Sequence, residues 1–189
     1  SHDGTTLAVT CQAVYDGYMY TAEARAIDEA LLIDLLNTTP VVDDQPIDLL
    51  AGDADGRDWL SARGGTGSAE ELRVCRAVRD DLQRVVRGEA SPSSLRTYLD
   101  GLSRVPVLTD DALDWNLQVA EDRRLAARIV LAWAEIRETI PGALRPCAND
   151  ECRLFLLDRS RAGTARWCSM ATCGNKMKAR RHRARAAGE

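Results

Sequence analysis

Two hydrophobic periods divide the chain. In three long segments apolar residues recur every three or four positions, which predicts amphipathic helices. Over 23–36, Ile27, Leu31 and Leu35 share one face with Ala30 beside them, and Asn37 and Pro40 end the pattern. Over 68–87, Leu72, Cys75, Val78, Leu82 and Val85 form a stripe, opened by the capping box Ser68-x-x-Glu71 and stopped by Gly88. Over 121–139, Leu125, Ile129, Trp133 and Ile136 form the third stripe, which Pro141-Gly142 terminates. A shorter helix opens at Ser91-Pro92, with proline in the first helical position, and closes near Gly101.

Elsewhere the period is two. Leu7, Val9, Cys11, Ala13 and Tyr15 alternate with smaller or polar residues up to Asp16-Gly17, and Tyr18-Met19-Tyr20 follows, which predicts a hairpin. A second hairpin is predicted over 105–119. There Val105 and Val107 precede Asp110-Asp111, and Leu113, Trp115, Leu117 and Val119 alternate with Asp114, Asn116 and Gln118. Residues 41–58 read as an acidic loop whose aspartates lack the order of a calcium loop, and Trp59-Leu60 starts or sits in a short helix. The stretch RGGTGS at 63–68 is a flexible connector. It is no phosphate loop, because no Lys follows the glycines and no strand precedes them. Near the C-terminus, 153–157 and 164–167 are expected as strands, with a helix from about Thr172.

These elements predict an α+β protein. A mostly helical N-terminal domain with β-hairpins would span 1–142, and a small treble-clef-like domain would span 143–189. At 189 residues the chain suffices for one ordinary domain and a small one. No run approaches ~20 apolar residues, so no membrane span is expected. No charged segment precedes an apolar core, so no signal peptide is visible, and a reducing cytoplasm is the expected setting.

The net charge of −4 hides an asymmetry. From Pro141 onward 11 Lys and Arg face 4 Asp and Glu, whereas the preceding residues carry 14 basic and 25 acidic side chains. An acidic body with a basic end implies that only the end meets a polyanion.

The basic end holds four of the six cysteines, as Cys147-x4-Cys152 and Cys168-x4-Cys173 with fifteen residues between the pairs. Two pairs separated by a short apolar segment suit a tetrahedral metal gripped from both sides. Four thiolates leave no open coordination position, which favours structural Zn2+ over a catalytic site. Iron with the same sulfur count and a pair of disulfides are the alternatives. Cys75, on the stripe of its helix, reads as core.

The same stretch carries a resemblance. WCSMATCGNK followed by a basic run resembles the CGNR zinc-finger family of bacterial proteins, on Cys147, Cys152, Asp158, Ser160, Arg161, Trp167, Cys168, Ser169, Met170, Cys173, Gly174 and Asn175. Lys176 stands where that family has its final Arg, keeping the charge but losing the planar fork. LLIDLLNT at 31–38, followed by PIDLLAG, is similar to a segment near the start of the ABATE-type domain that usually precedes such fingers. The resemblance implies a stress-induced transcription regulator.

Catalysis has no candidate. The two histidines, His2 and His182, lie outside the body's predicted elements, and no dinucleotide, kinase or hydrolase motif is present. The tail instead suits a groove. On a helix, Lys176, Arg180 and Arg183 fall on one stripe and Lys178, Arg181 and Arg185 on a second, nearly opposite. These six residues, with Arg166 and Asn175 near the metal, are the expected DNA contacts. In the body, Tyr18, Tyr20, Asp34 and Asn37 are the expected lining of a site for a small-molecule effector. The plainer reading of them is a half-exposed sheet and a capped helix end. A sensing or oligomerising body allows a homodimer. An RNA-binding or ribosome-associated module and a zinc-scaffolded protein-interaction module are the other readings.

Overall fold

Three helices carry the body: α1 (Ala22–Leu36), α3 (Ala69–Val86) and α4 (Arg124–Thr139). The computed structural model describes residues 22–110 and 113–186. The tyrosine hairpin expected at 7–20, with Tyr18 and Tyr20, lies outside the described residues. No helix among the described residues is long and apolar enough to cross a membrane.

Leu32, Leu35, Leu60, Cys75, Val78, Leu82 and Ile129 are wholly enclosed where the helices meet. Each such side chain stabilises the fold by ~1.5–3 kcal/mol relative to exposure. The stripes of α3 and α4 face inward as their spacing predicts. The stripe of α1 does not sit where Ile27 would place it. Ile27 is 53% exposed, and the buried face is Asp28, Leu31, Leu32, Leu35 and Leu36. Asp28 turns inward because α4 presents Arg128 to it. The guanidinium donates Nε and Nη2 to Asp28 Oδ1 at 2.9 and 2.7 Å, and both side chains are buried. Arg25 and Glu135, 3.2 Å apart, continue this antiparallel pairing. Burial pushes the Asp28 carboxyl up to about 6, although Arg128 works against the shift.

The end of α1 is held by α3. Gln83 donates to the Leu36 carbonyl at 2.8 Å and to Thr39 Oγ1 at 2.9 Å, and Thr38 Oγ1 donates to the Leu35 carbonyl. Carbonyls that a helix C-terminus leaves unpaired are thereby satisfied. The capping box of α3 forms in part: Ser68 Oγ accepts from the Glu71 amide at 3.0 Å, while the Glu71 carboxylate turns to Gly67 N and the Thr66 hydroxyl.

Between α1 and α3 the acidic loop is more structured than its composition suggests. β1 (Val41–Val42) and β2 (Gln45–Pro46) pair antiparallel through a two-residue turn. Its aspartates, Asp43 and Asp44, have φ of 50° and 60°, the left-handed region that such turns require and that Asp tolerates. Asp48 is gripped by the fork of Arg79 at 2.6 and 2.9 Å. The helix expected at Trp59 starts earlier, as α2 (Asp53–Ser61), with Asp53 and Asp55 favourably placed at its positive end. Pro92–Leu99 winds as a 3-10 run rather than an α-helix. The predicted second hairpin forms as β3 (Ser103–Leu108) and β4 (Leu113–Gln118), with Pro106 opposite Trp115 and Leu108 opposite Leu113.

After Gly142 the chain turns back beneath α1 and α3. β5 (Leu144–Pro146) pairs antiparallel with β6 (Phe155–Leu157), Leu144 opposite Leu157 and Pro146 opposite Phe155. The strand expected at 164–167 does not form. β6 is already paired by β5, and Arg145 takes the Ala165 carbonyl with its side chain, Nε to O at 3.0 Å. Phe155, the single phenylalanine of the chain, is 1% exposed and belongs to the same core as α1, α3 and α4. The hydrophobic core therefore continues past the turn at Gly142 into the cysteine-rich segment.

The buried pair sets a pH dependence. A folded-state pKa near 6 against an ordinary ~3.9 means that stability from Asp28 is fully present below about pH 4 and is lost as pH rises through 6. Asp28→Asn should remove this dependence. In urea melts from pH 4 to 7, the wild-type stability minus that of the variant should fall by about 2 kcal/mol as pH rises. A difference that stays constant or grows would show that Asp28 is not held up by burial.

Candidate metal centre

β5 and β6 open into a knuckle that carries the first cysteine pair. The Cys147 amide donates to the Leu154 carbonyl at 2.8 Å, extending the hairpin, and the Cys152 amide closes the knuckle on the Asn149 carbonyl at 2.8 Å. The second pair comes from the segment just before the C-terminal helix, Cys168 ahead of the turn and Cys173 within it. Ser169 caps a wide turn over Met170–Gly174 that contains Cys173, and α5 (Asn175–Ala186) follows directly. A knuckle, a hairpin and a helix entered through the turn that carries the last cysteine make the treble-clef-like arrangement expected from the spacing.

The loop joining the two pairs is fixed by one carboxylate. Asp158, itself buried, accepts from the Ser160 and Ala165 amides at 2.9 and 2.8 Å and from Arg145 Nη2 at 2.5 Å. The Ser160 hydrogen bonds come first among the causes that hold its carboxyl down at about 2. Ala148 N donates to the Arg166 carbonyl at 2.8 Å, which brings the second cysteine pair against the first.

The four sulfurs meet. Cys147, Cys152, Cys168 and Cys173 have all their Sγ atoms within 4.8 Å of one another. Sγ of Cys168 lies 3.7 Å from those of both Cys152 and Cys173. A zinc tetrahedron with ~2.3 Å arms has edges of ~3.8 Å, so the cluster already has the dimensions of a zinc sphere. Disulfide sulfurs would lie ~2.05 Å apart, and the four cysteines are unbridged. Cys147 and Cys173 are buried, while Cys152 and Cys168 are half-buried at the surface of the finger.

The electrostatics call for a cation. Burial pushes the Cys152 thiol up to about 11 and Cys168 further, with the neighbouring sulfurs adding to the shift at Cys168. Burial works the same way on Cys173, but hydrogen bonds from Asn149 and the other cysteines bring it below its ordinary value. Asn149 Nδ2 donates to Cys173 Sγ, and the Cys168 amide donates to Cys147 Sγ, each at 3.4 Å. Such donors steady ligating thiolates and stiffen the site. The residues fit zinc: four soft sulfurs complete a tetrahedron, the donor set of structural, closed coordination.

Side-chain contacts bolt the finger to the body. The side-chain amide of Asn37 accepts from Phe155 N at 2.8 Å and donates to the Phe155 carbonyl at 3.2 Å, standing in for a strand neighbour. Arg87 lies over the Phe155 ring, its Cζ 4.4 Å from the centroid. Arg159 forms an ion pair with Glu29 of α1. No local pattern hints at the first of these, since 118 residues separate Asn37 from Phe155. Asp34 points elsewhere and accepts Nε and Nη2 of Arg63 at 3.2 and 2.9 Å.

Every residue of α5 is exposed or half-buried. Lys176 meets Glu151 of the knuckle at 2.7 Å, and Arg180 meets the same carboxylate at 3.5 Å. Asn175 Nδ2 donates back to the Ala171 carbonyl, and Arg166 lies beside the Trp167 ring, 5.2 Å from its centroid. Sequence reasoning misses Glu151, because no local signal links it to a helix 25 residues on.

A helical body fused to a four-cysteine zinc finger is the class of protein that this geometry defines. The CGNR zinc-finger family model matches residues 143–186, and that of the ABATE family, described as "Putative stress-induced transcription regulator", matches residues 29–154. The second match spans about two thirds of the chain, and the protein belongs to the ABATE family. The two matches overlap over the first knuckle, the stretch in which body and finger share a core. Neither family is described as an enzyme. Among curated proteins none matches the chain.

Because Phe155 belongs to both units, zinc loss should reach the body. Chelation, or Cys168→Ser, should release amide protection over 144–175 and also lower the melting temperature of the helices. Phe155→Ala should cost about 3–5 kcal/mol in the same direction. A chelated protein whose helices melt at an unchanged temperature would separate the two cores and contradict this coupling.

Proposed function

We propose that this protein is a transcription regulator that binds duplex DNA through α5, with the helical body as its ligand-sensing part. The observation that carries the reading is the state of the cations on α5. Lys178, Arg181, Arg183 and Arg185 have no carboxylate partner among the described residues, and the helix buries none of its length. Self-repelling charge is retained on a helix mounted directly on the metal turn. Zinc fixes its first turn and leaves the rest projecting. A phosphate backbone along each flank would meet both stripes.

Lys176 and Arg180 enter the interface differently, since Glu151 holds them near the knuckle. An exposed pair of this kind is weak and screened by salt, so phosphates can replace the carboxylate. Arg166 and Asn175 lie beside the metal turn and would touch DNA only at the base of the helix. The acidic body, with 25 carboxylates before Pro141, would keep the duplex away from the rest of the molecule.

Arg181→Ala with Arg183→Ala should weaken binding to every duplex sequence about equally. It should also reduce the log–log salt slope by about 0.9 for each phosphate that is no longer neutralised. Titrations over a range of salt, on duplex DNA and on structured RNA, check both the phosphate neutralisation and the choice of polymer. Tighter binding to RNA, or no shift of duplex DNA at low salt, would set this function aside.

A further inference from the structure

A cleft of about 770 Å³ lies between the end of α3 and the first zinc knuckle. Two arginines line it from different units: Arg87 from the end of the body's α3, and Arg153 from the finger, immediately after the ligand Cys152. Arg87 stacks on the Phe155 ring and donates Nη2 to the Arg153 carbonyl at 2.9 Å, which holds the two cationic residues together. Among the described residues, neither has a carboxylate within ion-pair distance. Burial lowers Arg87 below its ordinary value; the Glu89 carboxylate opposes the shift and Arg153 adds to it. The other two arginines of the cleft are committed. Arg79 takes Asp48 and Asp80 at 2.6 and 2.9 Å, and Arg84 reaches Asp81 at 3.7 Å. The buried side chains of Thr39 and Gln83 line the cleft deeper in.

Like charges near each other with no carboxylate in ion-pair contact gain from a dianion between them, and the guanidinium fork matches phosphate oxygens two at a time. Glu89 and Asp150 line the same cleft. They would repel a continuous polyanion and leave room for a compact anion with polar groups. The volume falls within the ~300–1,000 Å³ of small-molecule sites. We propose that this cleft binds a compact organic phosphate, its phosphate held between Arg87 and Arg153 and its polar remainder directed toward Thr39 and Gln83. One arginine belongs to the body and the other to the finger, so the bound ligand braces the seam between them. This rests on the sensing half of the function proposed above and gives it a site and a ligand class.

The test is an amide NMR titration of the zinc-loaded full chain with ribose 5-phosphate, inorganic phosphate and, as a control, ribose. Both phosphates should give saturable shifts at Thr39, Arg87 and Arg153 in the millimolar range or tighter, and ribose none. Arg153→Gln should weaken the effect about tenfold or more, as expected when a charge-assisted hydrogen bond is removed. Its side chain is exposed and makes no hydrogen bond among the described residues, so this variant should fold. Arg87→Lys, which keeps the charge but not the fork, should weaken binding less. The Arg181→Ala, Arg183→Ala variant should keep phosphate binding while losing DNA, so the two proposals fail separately. No saturable shift by ~10 mM, where even a weak site would fill, would overturn the proposal. So would unchanged affinity in Arg153→Gln, or loss of phosphate binding in the α5 variant.

Discussion

Four sulfurs drawn to within 4.8 Å of one another and partly withdrawn from water do not all ionise unless a cation sits among them. The finger is arranged around that condition. Its hairpin has two three-residue strands, and its connecting loop rests on a single aspartate. So small an element has little core of its own, and metal binding supplies what the missing core does not. α5 inherits its position from the same ion, because Cys173 lies in the turn that leads straight into it. A four-sulfur metal has the role of a fixture here: it sets where the cations of the C-terminal helix stand.

The second constraint is that the finger shares its core with the body. Phe155 fills the body's core from within the finger's own hairpin, and the Asn37 amide closes on its backbone from α1. The LLNT segment gains a physical meaning from this. Leu35 and Leu36 are core, Asn37 pins the finger, and Thr38 ends the helix on the Leu35 carbonyl while Arg79 donates to its hydroxyl. Any event at the body–finger seam is therefore positioned to change how α5 is held.

What periodicity and spacing encode was legible in the chain: the inward stripes of α3 and α4, the β3–β4 hairpin, the cysteine quartet and the helix that follows it. What failed depends on partners far away in sequence. Ile27 fits the α1 stripe by spacing, but Asp28 is buried because Arg128, 100 residues on, neutralises it. Residues 164–167 have strand-like composition, yet β5 already occupies the pairing edge of β6 and the Arg145 side chain holds that stretch instead. Asn37 looks like a helix terminator, and nothing local announces its hydrogen bonds to Phe155. The acidic loop hid α2, because aspartates that read as solvated loop also favour a helix N-terminus.

The most direct measurement is X-ray absorption at the zinc edge of the purified full chain, combined with metal quantitation. The account predicts one zinc per chain with four sulfur neighbours at ~2.3 Å and no nitrogen or oxygen scatterer in the first shell. Cys152→Ser should turn one sulfur into a lighter neighbour or abolish binding. A substoichiometric metal, or a wild-type site with fewer than four sulfurs, would contradict the closed structural centre on which the placement of α5 depends.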